Sequence, residues 1–299
     1  MPRKPAVLCL SLLCAAVTAA GAAVLQPYGL EGIGVVSTAA SEVRASVSPD
    51  GQWIVWGSTD RTGGPGGWDL WQARLRDGRW VEAQPLPVNS PQNDFDPMFS
   101  ADGRWLYFFS NRAGGFGGDD LYRAPVLADG GFGAAANLGA GVNGASDEWA
   151  PTPDLDGRRL LFASDGHGGA GGHDLFVARW DGGAFVDPLP VPGVNGPEDD
   201  FDAAWLEGGR ALVFARSRDP ATAPVRLLVA QCDGGAYADS APWAIAFNTA
   251  DGTTLGPVVD LSKPAEILVS GAAPAPKAGK LDIYRARAPA VTGSDGCLP

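Results

Sequence analysis

One residue pattern recurs along this chain. It reads EVRASVSPDGQWIVWGSTDRTGGPGGWDLW from Glu42 to Trp71, NDFDPMFSADGRWLYFFSNRAGGFGGDDLY from Asn93 to Tyr122, and EWAPTPDLDGRRLLFASDGHGGAGGHDLF from Glu148 to Phe176. Each copy carries an acid-led extended segment, an Asp-Gly turn, an apolar strand, a glycine-rich connection and a strand opening on Asp-Leu-aromatic. A fourth copy is degraded: Gly208-Gly209 replaces the turn, RALVFAR is intact, and Arg226 stands where the others have Asp. A fifth is legible as Pro264, AEILVSG and Asp282-Ile283-Tyr284. The turn residues at 51, 103, 157, 209 and 264 are spaced by 52, 54, 52 and 55 residues. Self-similarity at this period means that the unit of folding is the repeat.

Within a unit, strands such as QWIVWGS are apolar on both faces at their centres, as a strand covered on both sides requires. Gly and Pro recur too often for a long amphipathic helix. Four strands per unit at this period predict an all-β fold, a β-propeller of five blades. A sixth blade would require further strands between Trp243 and Thr254. Too little chain follows Asp282 for a complete fifth blade, and the segment Leu30 to Val36 is expected to supply the missing strand. Its Val35-Val36-Ser37 aligns with Pro87-Val88-Asn89 at the end of a repeat. Closure of this kind removes exposed sheet edges.

Residues 1–23 read as a signal peptide: Arg3 and Lys4, an apolar run from Ala6 to Val17, then small residues to Ala23. The apolar run is shorter than the ~20 residues of a spanning helix. Leu12 and Leu13 are bulky where a lipidated Cys14 would want small neighbours. Residues 24–299 are then one propeller domain, periplasmic or secreted. Loss of the two leader cations moves the net charge from -12 to -14. That charge opposes nucleic acid and anionic membranes and leaves neutral or cationic partners. Cys232 and Cys297, the two cysteines of the mature chain, are expected to pair in an oxidising compartment.

The SPDG turn at Ser48–Gly51, the GGFGGDDLY stretch at 114–122, and the preceding Val88-Asn89-Ser90 and Val142-Asn143-Gly144 resemble the WD-like repeats of exported TolB-type β-propellers. The resemblance covers nearly the whole mature chain and is clearest in the first three units. The chain is expected to be a monomeric, non-catalytic protein- or peptide-binding module of the bacterial cell envelope, with a channel-end glycoside hydrolase, a carbohydrate-binding propeller or a purely structural envelope protein as the alternatives. With so short a stretch before the first unit, no separate α/β domain of the kind that TolB places before its propeller is expected.

Nine residues before each turn glycine stand Glu42, Asp94, Glu148 and Asp200, where the innermost strand of each blade begins; Leu255 occupies the fifth position. Asp96 and Asp202 follow two positions later, with Arg44 in the first unit. These carboxylates are expected to form an acidic ring at one channel end. Such a ring can receive a cationic peptide or hold Ca²⁺ through oxygen ligands, or each acid can cap backbone N–H groups of a neighbouring loop. Asp94, Glu148 and Asp200 would be the carboxylates of a channel-end glycoside hydrolase, although catalytic acids ordinarily break a repeat. Asp69, Asp120, Asp174 and Asp282 are read as structural, accepting from N–H groups of the glycine-rich connections. The two histidines, His167 and His173, lie in one such connection, as solvated loop residues or as metal ligands. Trp68 and Phe116 are secondary contact candidates. No GxSxG elbow, HExxH pair or phosphate-binding glycine loop with Lys occurs. No cofactor is implied beyond Ca²⁺ at the ring.

Overall fold

A computed structural model describes residues 25–298. The proposed leader therefore lies outside the described residues. Five four-stranded antiparallel sheets form a closed propeller. A short strand β1 (Tyr28–Leu30) precedes the first blade, which is β2 (Ser41–Val47), β3 (Trp53–Thr59), β4 (Asp69–Arg76) and β5 (Arg79–Pro85). The second blade is β6 (Asp94–Phe99), β7 (Trp105–Ser110), β8 (Asp120–Pro125) and the two-residue β9 (Ala136–Asn137). The third is β10 (Glu148–Pro153), β11 (Arg159–Ser164), β12 (Asp174–Trp180) and β13 (Phe185–Pro190). The fourth is β14 (Asp199–Leu206), β15 (Ala211–Ser217), β16 (Arg226–Asp233) and β17 (Ala236–Pro242). The fifth has only β18 (Thr254–Val259), β19 (Glu266–Gly271) and β20 (Asp282–Arg287) of its own, and β1 completes it. The innermost strands β2, β6, β10, β14 and β18 touch in sequence, and β18 returns to β2.

The closing strand is Tyr28–Leu30, paired to Tyr284–Ala286, and lies earlier than the expected Leu30 to Val36. Residues 31–36 turn instead, because Gly32 takes a positive φ of 55° and its carbonyl accepts from Val35 and Val36. The region from Trp243 to Thr253 carries no strand, only two isolated bridges, Gln26 to Ile245 and Val225 to Thr253, so the count is five.

Two local devices explain why the repeat folds as it does. At the turns, Asp50 accepts from the Gln52 N–H while Ser48 accepts from Trp53, and Gly51 supplies the positive φ that closes the hairpin. Ser100 and Asp102 repeat this. At the far end, Asn89 bonds both the N–H and the carbonyl of Leu70. Asn143 does the same to Leu121, Asn195 to Leu175, Asn248 to Leu227, and Ser37 to Ile283. The alignment of Ser37 with Asn89 thus reflects this bridge. Asn143→Ala leaves the buried Leu121 N–H unpaired, while the Leu121 carbonyl keeps its bond from the Leu138 N–H. The variant is expected to lose about 1–3 kcal/mol of stability in urea unfolding.

The core lies between blades. Trp56, Phe108, Phe162, Phe214 and Val269, one from each second strand, are fully buried. Neighbouring blades are also sewn by backbone bonds: Glu42, Asp94, Glu148, Asp200 and Thr254 donate their N–H groups to the carbonyls of Leu281, Trp68, Asp119, His173 and Val225. Thr254, paired to Gly271 as Glu42 is to Ser58, is therefore the fifth-blade counterpart of the acids, and not Leu255. The connection to the second strand is one residue longer in that blade, which displaces a count made backward from the turn.

Candidate functional site

The repeated acids begin the innermost strands, but they are not presented to solvent. Glu42, Asp94, Glu148 and Asp200 are fully buried. Each folds back onto the connection before it, accepting from the N–H four residues earlier: Thr38, Ser90, Gly144 and Gly196. Each also meets a cation or imidazole of its own blade. Arg112 pairs with Asp94, Arg216 with Asp200 at 2.6 Å, Arg61 stands 4.0 Å from Glu42, and His167 stands 4.0 Å from Glu148. The same four side chains contact the carbonyls of Val36, Val88, Val142 and Val194, so acid and partner clamp one connection per blade. Burial raises the Glu42 and Asp200 carboxyls. It lifts Glu148 further, to about 7, against the lowering bonds from Gly144 and Ser164.

The residues two positions on behave differently. In every innermost strand the register slips, and Arg44, Asp96, Ala150, Asp202 and Gly256 take positive φ between 47° and 60°. This β-bulge turns them toward one another across the axis. Arg44, fully buried, reaches from the first blade to the third, donating to Thr152 Oγ1 at 2.8 Å and to the Ala150 carbonyl at 3.3 Å. Its Nη1 lies 3.6 Å from Asp202 Oδ1 in the fourth blade, and Asp202 Oδ2 accepts from the Gly256 N–H in the fifth. A Cβ on Gly256 would come within 3.1 Å of the Arg44 backbone, so glycine makes room there. Burial, with the Asp202 charge adding to it, pushes the Asp96 carboxyl well up, and burial also raises Asp202. Among the described residues Asp96 Oδ1 and Arg44 Nε have no hydrogen-bond partner. The six ring candidates thus separate into a buried clamp set, Glu42, Asp94, Glu148 and Asp200, and a buried channel pair, Asp96 and Asp202, crossed by Arg44.

Asp69, Asp120, Asp174 and Asp282 open the third strands. Asp69 accepts from Gly66, Asp120 from Phe116, Asp174 from Ala170 and Gly171, and Asp282 from Ala278 and Gly279. In the fourth blade Arg226 holds this place, paired in register to Arg216. Cys232 and Cys297 form a disulfide. Phe116 is exposed, whereas Trp68 packs on Phe95 with ring centroids 4.2 Å apart.

Two groupings were not read from the sequence, which offered only His173 of the second, as a solvated loop residue or a metal ligand. At the turn end of the channel a cavity of about 700 Å³ opens, lined by Met98, Leu155, Trp205, Pro257, Leu261 and Val291 among others. It joins innermost strands to turns and to the carboxyl-terminal tail, so no contiguous motif encodes it. At the opposite end, between the second, third and fourth blades, Asp119, Asp147, Asp165, His173 and Asp199 gather around Trp149. The Trp149 ring stacks on His173 at 3.6 Å and donates to Asp119 Oδ2 at 2.8 Å. Burial raises the Asp119 carboxyl to about 6, the Trp149 bond opposing and the Asp147 charge assisting.

No protein-family model matches the chain, and no curated protein sequence matches it. Among solved structures the chain is similar to the endo-arabinase of Bacteroides thetaiotaomicron, at 13% identity over 90% of this chain and 100% of that one, with a TM-score of 0.57. It is similar to an α-L-arabinofuranosidase of Podospora anserina solved with cellotriose, at 11% identity over 89% and 98% of the chains and a TM-score of 0.53. It is also similar to TolB of Acinetobacter baumannii, at 12% identity over 83% of this chain and 55% of that one, with a TM-score of 0.48. The chain therefore spans about half the length of that TolB. At such identities the likeness is one of fold.

Proposed function

We propose that this propeller is a non-catalytic binding module of the cell envelope, and that it takes an extended, apolar and cationic segment of a partner protein at the turn end of its channel. The observation that carries this reading is the contrast between the two channel ends. The carboxylates that a glycoside hydrolase would need are fully buried and tied to loop N–H groups, and Arg44 crosses the axis beneath them. A general acid and base must reach the scissile bond. The cavity at the other end is of ligand size and mainly apolar, in keeping with ordinary binding sites. Trp205, whose indole N–H has no partner among the described residues, is in its wall, and three acids, Asp154, Asp156 and Glu207, stand around it with two cations, Arg159 and Arg287. The small local excess of acid and, chiefly, the chain's net charge of -12 favour a positively charged ligand over an anionic one.

The leader pattern and the disulfide support export to an oxidising compartment. Among the described residues no helix is long and apolar enough to cross a membrane. We extend the proposal to a protein that acts as a monomer in the periplasm or outside the cell.

The test is titration of the mature protein with synthetic peptides that alternate Leu or Phe with Lys, following Trp emission, beside arabino- and cello-oligosaccharides. Leu155→Lys places a positive charge on an exposed side chain at the cavity and leaves the core untouched. The expected result is saturable peptide binding that weakens at least tenfold in Leu155→Lys and disappears in Trp205→Phe emission. Saturable oligosaccharide binding or turnover, or peptide binding indifferent to Leu155, would overturn the reading.

A further inference from the structure

The clearest departure from the repeat lies at the channel end remote from the cavity. One carboxylate oxygen each of Asp147 and Asp165 and one imidazole nitrogen of His173 lie within 4.8 Å of one another. Among the described residues no hydrogen bond or ion pair joins His173 to either aspartate. His173 is nine-tenths buried. Its Nδ1 sits 2.9 Å from Asp199 Oδ1, an acceptor, so Nδ1 carries the proton and Nε2 presents its lone pair. That Nε2 is buried and has no hydrogen-bond partner among the described residues. A carboxylate accepting from one imidazole N–H while the other nitrogen is left free is the usual support of a metal-binding histidine.

The scaffold does not require these charges. Asp165 Oδ1 accepts from the Asp147 N–H at 2.9 Å, and in the second blade Asn111 Oδ1 accepts from the Asn93 N–H at the same distance. Asp147 Oδ1 accepts from the Asp119 N–H, as Asn93 Oδ1 does from Trp68. Neutral asparagine thus performs both backbone tasks one blade earlier. The third blade replaces each by an acid, places two like charges side by side, and adds the imidazole where the second blade has Asp119 and the first Trp68. Each aspartate has a second oxygen left over after its backbone bond.

We propose that Asp147, Asp165 and His173 Nε2 bind a divalent cation of the transition series, with Zn²⁺ the best match, leaving further coordination positions to water. An imidazole nitrogen beside two carboxylates selects Zn²⁺ or Mn²⁺ over Ca²⁺ and Mg²⁺, which favour all-oxygen shells. Asp199 is the supporting acceptor that fixes the imidazole. Asp165 is exposed, so the ion can enter from solvent. This site is independent of the cavity at the opposite channel end.

The metal-free mature protein is titrated calorimetrically with Zn²⁺, Mn²⁺ and Ca²⁺, and the emission of Trp149, stacked on His173, is followed as the difference between wild type and Trp149→Phe. The key variant is Asp147→Asn/Asp165→Asn, which copies the second blade and retains both backbone bonds; His173→Gln removes the nitrogen donor. One equivalent of Zn²⁺ should bind, perturb Trp149, and bind at least tenfold more weakly to His173→Gln and a hundredfold more weakly to the double variant. Without metal, the double variant should melt no lower than wild type. Absence of saturable Zn²⁺ binding, binding unchanged in either variant, or Ca²⁺ bound as tightly as Zn²⁺ overturns the proposal. A double variant that fails to fold overturns the argument that asparagine suffices there.

Discussion

Arg44→Met should unfold far more readily than wild type, by about 3–5 kcal/mol, the cost of removing one partner of a buried charge pair. Arg44 is the only cation among the bulged residues that face the axis, and it joins the first, third and fourth blades through Thr152, Ala150 and Asp202. Methionine matches its length but leaves Asp96 and Asp202 without a counter-charge. The loss should depend on pH, with a definite sign. Both carboxyls are already raised in the folded protein, and both rise further without Arg44. A raised carboxyl binds a proton more tightly in the folded chain than in the unfolded one, so stability is fully present below the unfolded value near ~4 and falls as pH climbs through the folded value. The penalty measured by urea unfolding should therefore be larger at pH 8 than at pH 5. Asp96→Asn removes one of the two acids and supplies an amide where Asp96 Oδ1 has no partner. It should restore part of the loss at pH 8 when combined with Arg44→Met. A single variant as stable as wild type at both pH values would show that Arg44 is not the counter-ion of the channel.

That cluster also marks how far the sequence could be read. Turns, second strands and the Asp-led third strands are local patterns, so blade number and strand order follow from the period alone. The places of the acids are legible too, because they recur at a fixed offset in four units. Their orientation is not, since it depends on a bulge that breaks the alternation of a strand between the acid and the residue two further on. Nothing in Glu42-Val43-Arg44 announces that Arg44 will take a φ of 48°. The basic partners were hidden for another reason: Arg61, Arg112, His167 and Arg216 reach equivalent carbonyls from unequal offsets. The site at Asp147, Asp165 and His173 needed the structure because its signal is a difference between blades, acid where the previous blade has asparagine, and that difference has meaning only once Asn93 and Asn111 are seen to make the same backbone bonds.

Loss of the Cys232–Cys297 bond should have the second large effect, on stability and on the cavity together. The bond closes a loop of 65 residues that contains all three strands the fifth blade contributes for itself. The chain-entropy account gives about 4 kcal/mol for a loop of this length, roughly a thousandfold in the unfolding equilibrium. Cys297 also anchors the carboxyl-terminal tail. Thr292 and Gly293 donate to Gln231 Oε1, Ser294 donates to the Cys232 carbonyl, and Arg210 Nε donates to the Gly293 carbonyl. From there Leu298 turns back over Gly209, where a Cβ would come within 2.6 Å of it. Ala290, Val291 and Leu298 form part of the cavity wall beside Trp205. Those tail bonds are few and partly exposed, so the disulfide is what holds the wall in place. Cys297→Ser, and wild type in reducing agent, should unfold at lower urea and bind the cationic peptides more weakly, while Zn²⁺ binding at the far end of the channel persists in protein that is still folded. If reduction lowers stability but leaves peptide binding intact, the tail is no part of the binding surface and the ligand sits on the strand side of the cavity, around Met98 and Pro257. If reduction changes neither, the tail is held by its hydrogen bonds and packing alone.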